Sequence, residues 1–169
     1  MYAQACQQYA MTLKNLDAIL DKAQKHAEAK KFDQDIYCTL RFAPDMFPLT
    51  RQVQIACDMA KGAAAGLTGK EAPRHEDNEK TFSEVRARIH KCVGYLESLS
   101  ERDFADVNAK TPVKLSYPQG KGMNAQDFLL CRANPNFFFH VTCVYALLRQ
   151  AGVEVGKGDF LGAMPMFDM

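Results

Sequence analysis

Apolar residues in the first thirty positions recur at alternating spacings of three and four. Tyr2, Cys6, Tyr9, Leu13, Leu16, Leu20, Ala23 and Ala27 fall on one stripe, with Lys14, Asp17, Asp21 and Lys25 outside it. That period predicts a helix of about seven turns with one buried face. So narrow a stripe on so long a helix belongs in a bundle. A second helix is predicted through TRQVQIACDMAKGAAAGL to Gly69. It is entered from FAPDMFPL, with Asp45 as its N-cap and Pro48 tolerated in the first turn. Its Ala- and Gly-rich second half permits close helix approach. Thr81 and Glu84 have the spacing of a capping box. Phe82, Val85, Ile89, Cys92 or Val93, Leu96 and Leu99 then form the inward stripe of a third helix.

The period changes after position 100. Val113, Leu115 and Tyr117 alternate with Lys114 and Ser116 before the turn PQGKG, which predicts a small hairpin packed outside the bundle. Those glycines do not lead from a strand into a helix with phosphate-loop spacing, and they read as turn residues. NAQDFLLCR is a short helical lead-in. Asn134 is placed to cap a fourth helix with Pro135 at its first position, and that helix ends near Gly152. In the tail, about 156–169, DFLG is expected to dock on the body and the last residues to fray. The pattern adds up to an all-α fold: one four-helix bundle domain over 1–169, with a hairpin or loop insertion before the last helix.

Twenty-one Lys and Arg balance 20 Asp and Glu, a net charge of +1, so no basic excess exists for a nucleic-acid backbone. The one basic cluster, KAQKHAEAKK, lies at the end of the first helix, where cations complement the macrodipole. Six cysteines show no C-x-x-C spacing. Cys6, Cys57, Cys92 and Cys143 occupy apolar helical positions as small hydrophobes. No leader-like start and no apolar run of about 20 residues is present. The expectation is a reduced, cytoplasmic chain that neither binds nucleic acid nor enters a membrane.

Of the four histidines, His26, His75 and His90 have polar neighbours and are expected to be solvated. His140 closes NPNFFFH and opens the most apolar segment of the chain. On helical spacing Asn136, His140, Cys143 and Leu147 share one face. In the second helix Gln54, Asp58 and Lys61 form a polar ridge, with Arg51 and Gln52 close by. Such a ridge is either solvent-facing surface or, turned toward His140, one wall of a polar pocket. In the second case Gln54 or Asp58 partners the imidazole. Arg41 and Asp45, at i and i+4, form either an ion pair or cap, or a substrate-anchoring arginine.

NFFFHVTCVYALLRQAGV, APDMFPLTRQVQIACDMAKGAAAGL, KNLDAILDKAQKHAEAK, EDNEKTFSEVRARI and the terminal GKGDFLG together resemble an uncharacterised bacterial branch of the DinB-like superfamily. The resemblance covers nearly the whole chain. It implies a DinB-like four-helix bundle with up-down-down-up connectivity, in proteins that are often dimers. It also implies a divalent metal, commonly zinc or nickel, held by one histidine on the second helix and two, four apart, on the last. Some members use that metal to activate a low-molecular-weight thiol for transfer or isomerisation. Aligning LLRQAG (147–152) puts His140 on the second of the two last-helix histidines and Asn136 on the first. The second-helix position falls among Gln52, Gln54 and Asp58.

One imidazole with amide oxygens is a poor first shell for zinc or nickel, so no cofactor is expected; a metal, if present, would use His140 with Asp58 or Gln54. Three readings follow. One is a small-molecule binder or divergent enzyme with His140 as general base or hydrogen-bonding group, and Gln54, Asp58, Asn136, Cys143 and Arg41 around the ligand. Another is a non-catalytic homodimeric bundle. Phe137, Phe138, Phe139, Val141, Val144, Tyr145 and Leu148 cover too many faces of the last helix for one core. The third is a metal-dependent thiol transferase with substituted ligands.

Overall fold

A computed structural model describes residues 1–169. Its elements are α1 (Tyr2–Lys30), α2 (Leu49–Thr68), α3 (Phe82–Glu97), β1 (Pro112–Lys114), β2 (Gly122–Asn124), α4 (Ala125–Asp127), α5 (Asn134–Gln150) and α6 (Lys157–Leu161). The long helices α1, α2, α3 and α5 form the bundle around a single cluster of 40 buried residues. All eight residues of the α1 stripe are buried, as are Phe82, Val85, Ile89, Cys92, Val93 and Leu96 of α3. The capping box forms as its spacing requires. Thr81 accepts from the Glu84 amide, and Glu84 accepts from the Thr81 amide. No helix is long and apolar enough to cross a membrane.

The connections set the direction of each helix. The segment 31–48 turns tightly, with the Leu49 amide bonded to the Leu40 carbonyl, so α2 runs back along α1. The loop 69–81 then retraces α2: Lys61 donates to the Pro73 carbonyl, Gln54 to Glu79, and Arg51 to Asp77. The loop thereby returns the chain to its starting end, and α3 runs parallel to α2. Helix α5 follows α1, with Tyr9 beside Asn134 and His26 beside Gly152. The order is up-down-down-up.

Two local expectations are corrected. Asp45 does not cap α2. It lies exposed in the loop, the helix begins at Leu49 behind Pro48, and no side chain caps it. Asn134 is not a cap either. The chain reaches it already helical, through α4 and a π-helical turn over Phe128–Ala133. A continuous helix leaves no free amides there to cap, and the Asn134 carboxamide instead accepts from the Tyr9 hydroxyl at 2.5 Å. The π turn sits just ahead of Pro135, which can donate no backbone hydrogen bond.

In the Ala/Gly half of α2 the alanines Ala60, Ala63 and Ala64 are fully buried. Gly62 has open space where a Cβ would be, and Gly66 faces the hairpin, where an added Cβ would lie 2.9 Å from Val113 Cγ1. The hairpin itself forms as an antiparallel pair with Val113 opposite Met123. Val113 and Leu115 are buried, while Tyr117 projects into solvent. Gly66→Ala is therefore expected to cost about 1–3 kcal/mol by overpacking a rotamer-stiff valine. Thermal denaturation of Gly66→Ala and of Gly66→Ala/Val113→Ala checks this; recovery in the double variant is the expected result.

Helix α6 docks the DFLG segment on α1. Lys22 pairs with Asp159 at 2.6 Å, Asn15 donates to the Phe160 carbonyl, and Phe160 meets Tyr145 edge-on. Much of the apolar excess on α5 is absorbed within the chain. Phe137, Val141, Val144 and Leu148 are buried, and Phe138 and Tyr145 are half-buried against α1 and α6. Of that set only Phe139 remains exposed, together with Leu130 just before the helix.

Candidate functional site

His140 is 8% exposed, and its Nδ1 lies 2.6 Å from Gln52 Oε1 across the α2–α5 contact. Gln52 is 2% exposed, and its Nε2 donates to the Phe47 carbonyl at 3.0 Å. A backbone carbonyl only accepts, so this second bond fixes which end of the Gln52 amide faces the histidine. The end facing His140 is the oxygen, also only an acceptor, and Nδ1 must therefore carry the proton. The relay Phe47 C=O···H–N Gln52 C=O···H–N His140 leaves the lone pair on Nε2, which has no partner within the chain. Burial lowers the His140 pKa below its ordinary 6.5, and Arg51 adds to the effect through its charge. The group is a neutral imidazole with one committed and one available nitrogen.

His140 lines a shallow, open depression of about 520 Å³ with Cys131, Arg132, Pro135, Asn136 and Phe139. Asn136 and His140 lie one turn apart on α5 with Pro135 and Phe139 beside them, and Cys131 and Arg132 join them from the π turn. Phe139 and the imidazole meet edge-on with centroids 5.2 Å apart. Asn136 Oδ1 is buried with no partner, an arrangement that costs about 1–3 kcal/mol. Arg132 donates to the Tyr117 carbonyl at 2.7 Å and so ties the hairpin to this edge. Cys131 is the only exposed cysteine of the six, all of which are free.

The residues read from the sequence divide between two places. Asn136 and His140 share the depression. Cys143 is buried nearby on α5 but does not line it, and burial raises its pKa. Gln54 and Asp58 lie on another face of α2. Gln52 and Gln54 are two residues apart, roughly 200° around a helix, so one meets α5 and the other cannot. Gln54 joins Arg51 and Glu79, and Asp58 takes Arg88 and Lys61 at 2.8 and 3.0 Å. Arg41 and Asp45 are both exposed, with no ion pair between them. Of the other histidines, His90 is exposed beside Asp17, while His26 and His75 are half-buried; His26 bonds the Tyr37 hydroxyl at 2.7 Å.

The ridge on α2 thus serves a second polar centre built on Arg88. This guanidinium is buried on the inward face of α3, within 2.8–3.1 Å of Asp58, Asp77 and Glu79, and it also donates to the Glu76 carbonyl. Burial opposes its charge, but Asp58 and Glu79 outweigh burial and raise its pKa. The centre fixes the returning loop 69–81 against α2 and α3. Sequence reading passed over Arg88 because an inward stripe is read from its apolar members. The available signal was a basic residue three after Val85, preceded by the acidic run EDNE.

The metal that the DinB-like resemblance implies does not suit this donor set. No three His, Cys, Asp or Glu side chains are placed to hold a metal ion. Gln52 Oε1 is already taken by His140 Nδ1, leaving one imidazole and one asparagine amide, too few and too weak for zinc or nickel.

The chain matches the domain of unknown function DUF1993 over residues 1–161. A crystal structure of a DinB family member protein from Shewanella denitrificans is 47% identical in sequence and superposes with a TM-score of 0.92. The alignment covers 99% of this chain and 95% of that one. A search of curated proteins returns no match.

Proposed function

The chain belongs to the DUF1993 family of DinB-like proteins, and we propose that its bundle binds a small polar molecule in the depression around His140. The observation that carries this reading is the Phe47–Gln52–His140 relay, which holds a neutral imidazole with an unpaired nitrogen in a concave site. A histidine kept only for packing would have both nitrogens satisfied or sealed. The same nitrogen accepts a proton from a bound hydroxyl or thiol, which is the role of a general base in a divergent enzyme. Asn136 and Arg132 flank it as polar contacts, and Phe139 supplies the apolar wall.

The test is a histidine-detected NMR titration of the full chain with acetamide, acetate, ethanol and 2-mercaptoethanol at millimolar concentration. At least one solute is expected to shift the His140 ring and Asn136 side-chain signals, and His140→Ala is expected to abolish the shift at Asn136. If none of the four moves either signal, the reading is wrong.

A homodimer through the exposed pair Leu130 and Phe139 is a second reading, favoured by two large apolar side chains at 52% and 55% exposure beside the depression. Sedimentation of wild type and Phe139→Asp checks it. A concentration-dependent dimer lost in the variant is expected, and a monomer at every concentration contradicts it.

A further inference from the structure

We propose that the group recognised at His140 is a primary carboxamide. This rests on the ligand-binding reading above and names the chemistry it selects. Among its lining residues the depression offers donors at Arg132 and Asn136 and an acceptor at His140. Arg132 spends one N–H on the Tyr117 carbonyl and keeps the others. Asn136 turns its oxygen inward, where it has no partner, so its amide nitrogen is the end left for a ligand. His140 presents the Nε2 lone pair, because the Gln52 relay holds the proton on Nδ1.

Each ligand class meets these groups differently. An ammonium group finds no carboxylate among the lining residues, and Arg132 and the neighbouring Arg51 repel it. A carboxylate satisfies Arg132 and Asn136 but sets an acceptor against the Nε2 lone pair. It fits only if the imidazole takes up a proton, which burial and Arg51 oppose. An alcohol or thiol donates to Nε2 and leaves the donors beside it unanswered. A primary amide answers both: its carbonyl accepts from Asn136 or Arg132 while its N–H donates to Nε2. Its alkyl end then lies along Pro135 and Phe139.

The experiment titrates propionamide, propionate and propanol into the full chain, following the His140 ring nitrogens, at about pH 8 and at a pH below the His140 midpoint read from the same spectra. At the higher pH propionamide is expected to bind at least about tenfold more tightly than the other two, a difference of about 1.4 kcal/mol. Acidification is expected to weaken propionamide and strengthen propionate, because the first needs the neutral ring and the second the protonated one. Gln52→Glu, which favours the protonated ring, is expected to move the pH at which propionate overtakes propionamide upward. Asn136→Leu is expected to remove the advantage of propionamide over propanol.

Propionate or propanol binding as tightly as propionamide at the higher pH overturns the carboxamide assignment while leaving the site in place. So does an unchanged preference in both variants. If none of the three moves the His140 signals, the assignment and the site fall together.

Discussion

Replacing Arg88 with methionine is expected to lower the unfolding free energy by about 3 kcal/mol, the lower end of what breaking a buried ion pair costs. Methionine fills much of the same space, so the loss is electrostatic rather than a cavity. Its removal leaves Asp58, Asp77 and Glu79 converging on an uncharged centre. Asp58 keeps Lys61 and Asp77 keeps Arg51, and both carboxylates are more than a third exposed, so water recovers part of the loss. Glu79, with a side chain only 11% exposed, recovers least. The loop 69–81 depends on this centre and should open first. Urea denaturation gives the total, and hydrogen exchange in 69–81 gives the local effect. A loss below about 1 kcal/mol, in the range of a surface pair, contradicts the assignment of Arg88 as the fastening of that loop.

The second large effect is expected at Gln52→Glu. The change is nearly isosteric, yet it puts a carboxylate where a neutral oxygen stood 2.6 Å from His140 Nδ1. An anion that close favours the imidazolium, so the His140 pKa is expected to move from below 6.5 to above it. The sign for stability follows. A histidine whose folded pKa is raised contributes stability below its unfolded value and loses it as pH rises through the folded value. The variant should therefore be relatively more stable near pH 6 than near pH 8. A carboxylate cannot donate to the Phe47 carbonyl, so a further loss of about 1–3 kcal/mol from that unpaired group is expected at either pH. An NMR titration of the His140 ring in the variant reads the pKa. A midpoint still below 6.5 contradicts the relay.

What was legible in the sequence follows from what each pattern encodes. The α1 stripe, the capping box at Thr81 and Glu84, the hairpin and the docking of DFLG are local or one-faced signals, and each formed as read. The facing of α2 was less accessible. Its Gln52, Gln54 and Asp58 point to different neighbours, and no period within one helix says which neighbour lies where. That is why the sequence leaves the ridge open between solvent and His140, when Asp58 pairs with Arg88 and Gln54 joins Arg51 and Glu79, and why Gln52 stands only as one of three alternatives.

The approach to α5 was hidden for another reason. A π turn carries an extra residue, so the phase of Cys131 and Arg132 relative to Asn136 and His140 cannot be carried back along a regular α-helix. Asn134 and Pro135 imitate a helix start for the same reason, although the chain is helical before them.

The protonation state of His140 in the unmodified chain tests the central claim most directly. Long-range nitrogen–proton NMR spectra of the histidine rings distinguish the two neutral tautomers and give the pKa. The relay through Gln52 predicts a ring with its proton on Nδ1, a bare Nε2 and a midpoint below 6.5. A proton on Nε2, or a midpoint above 6.5, would contradict it.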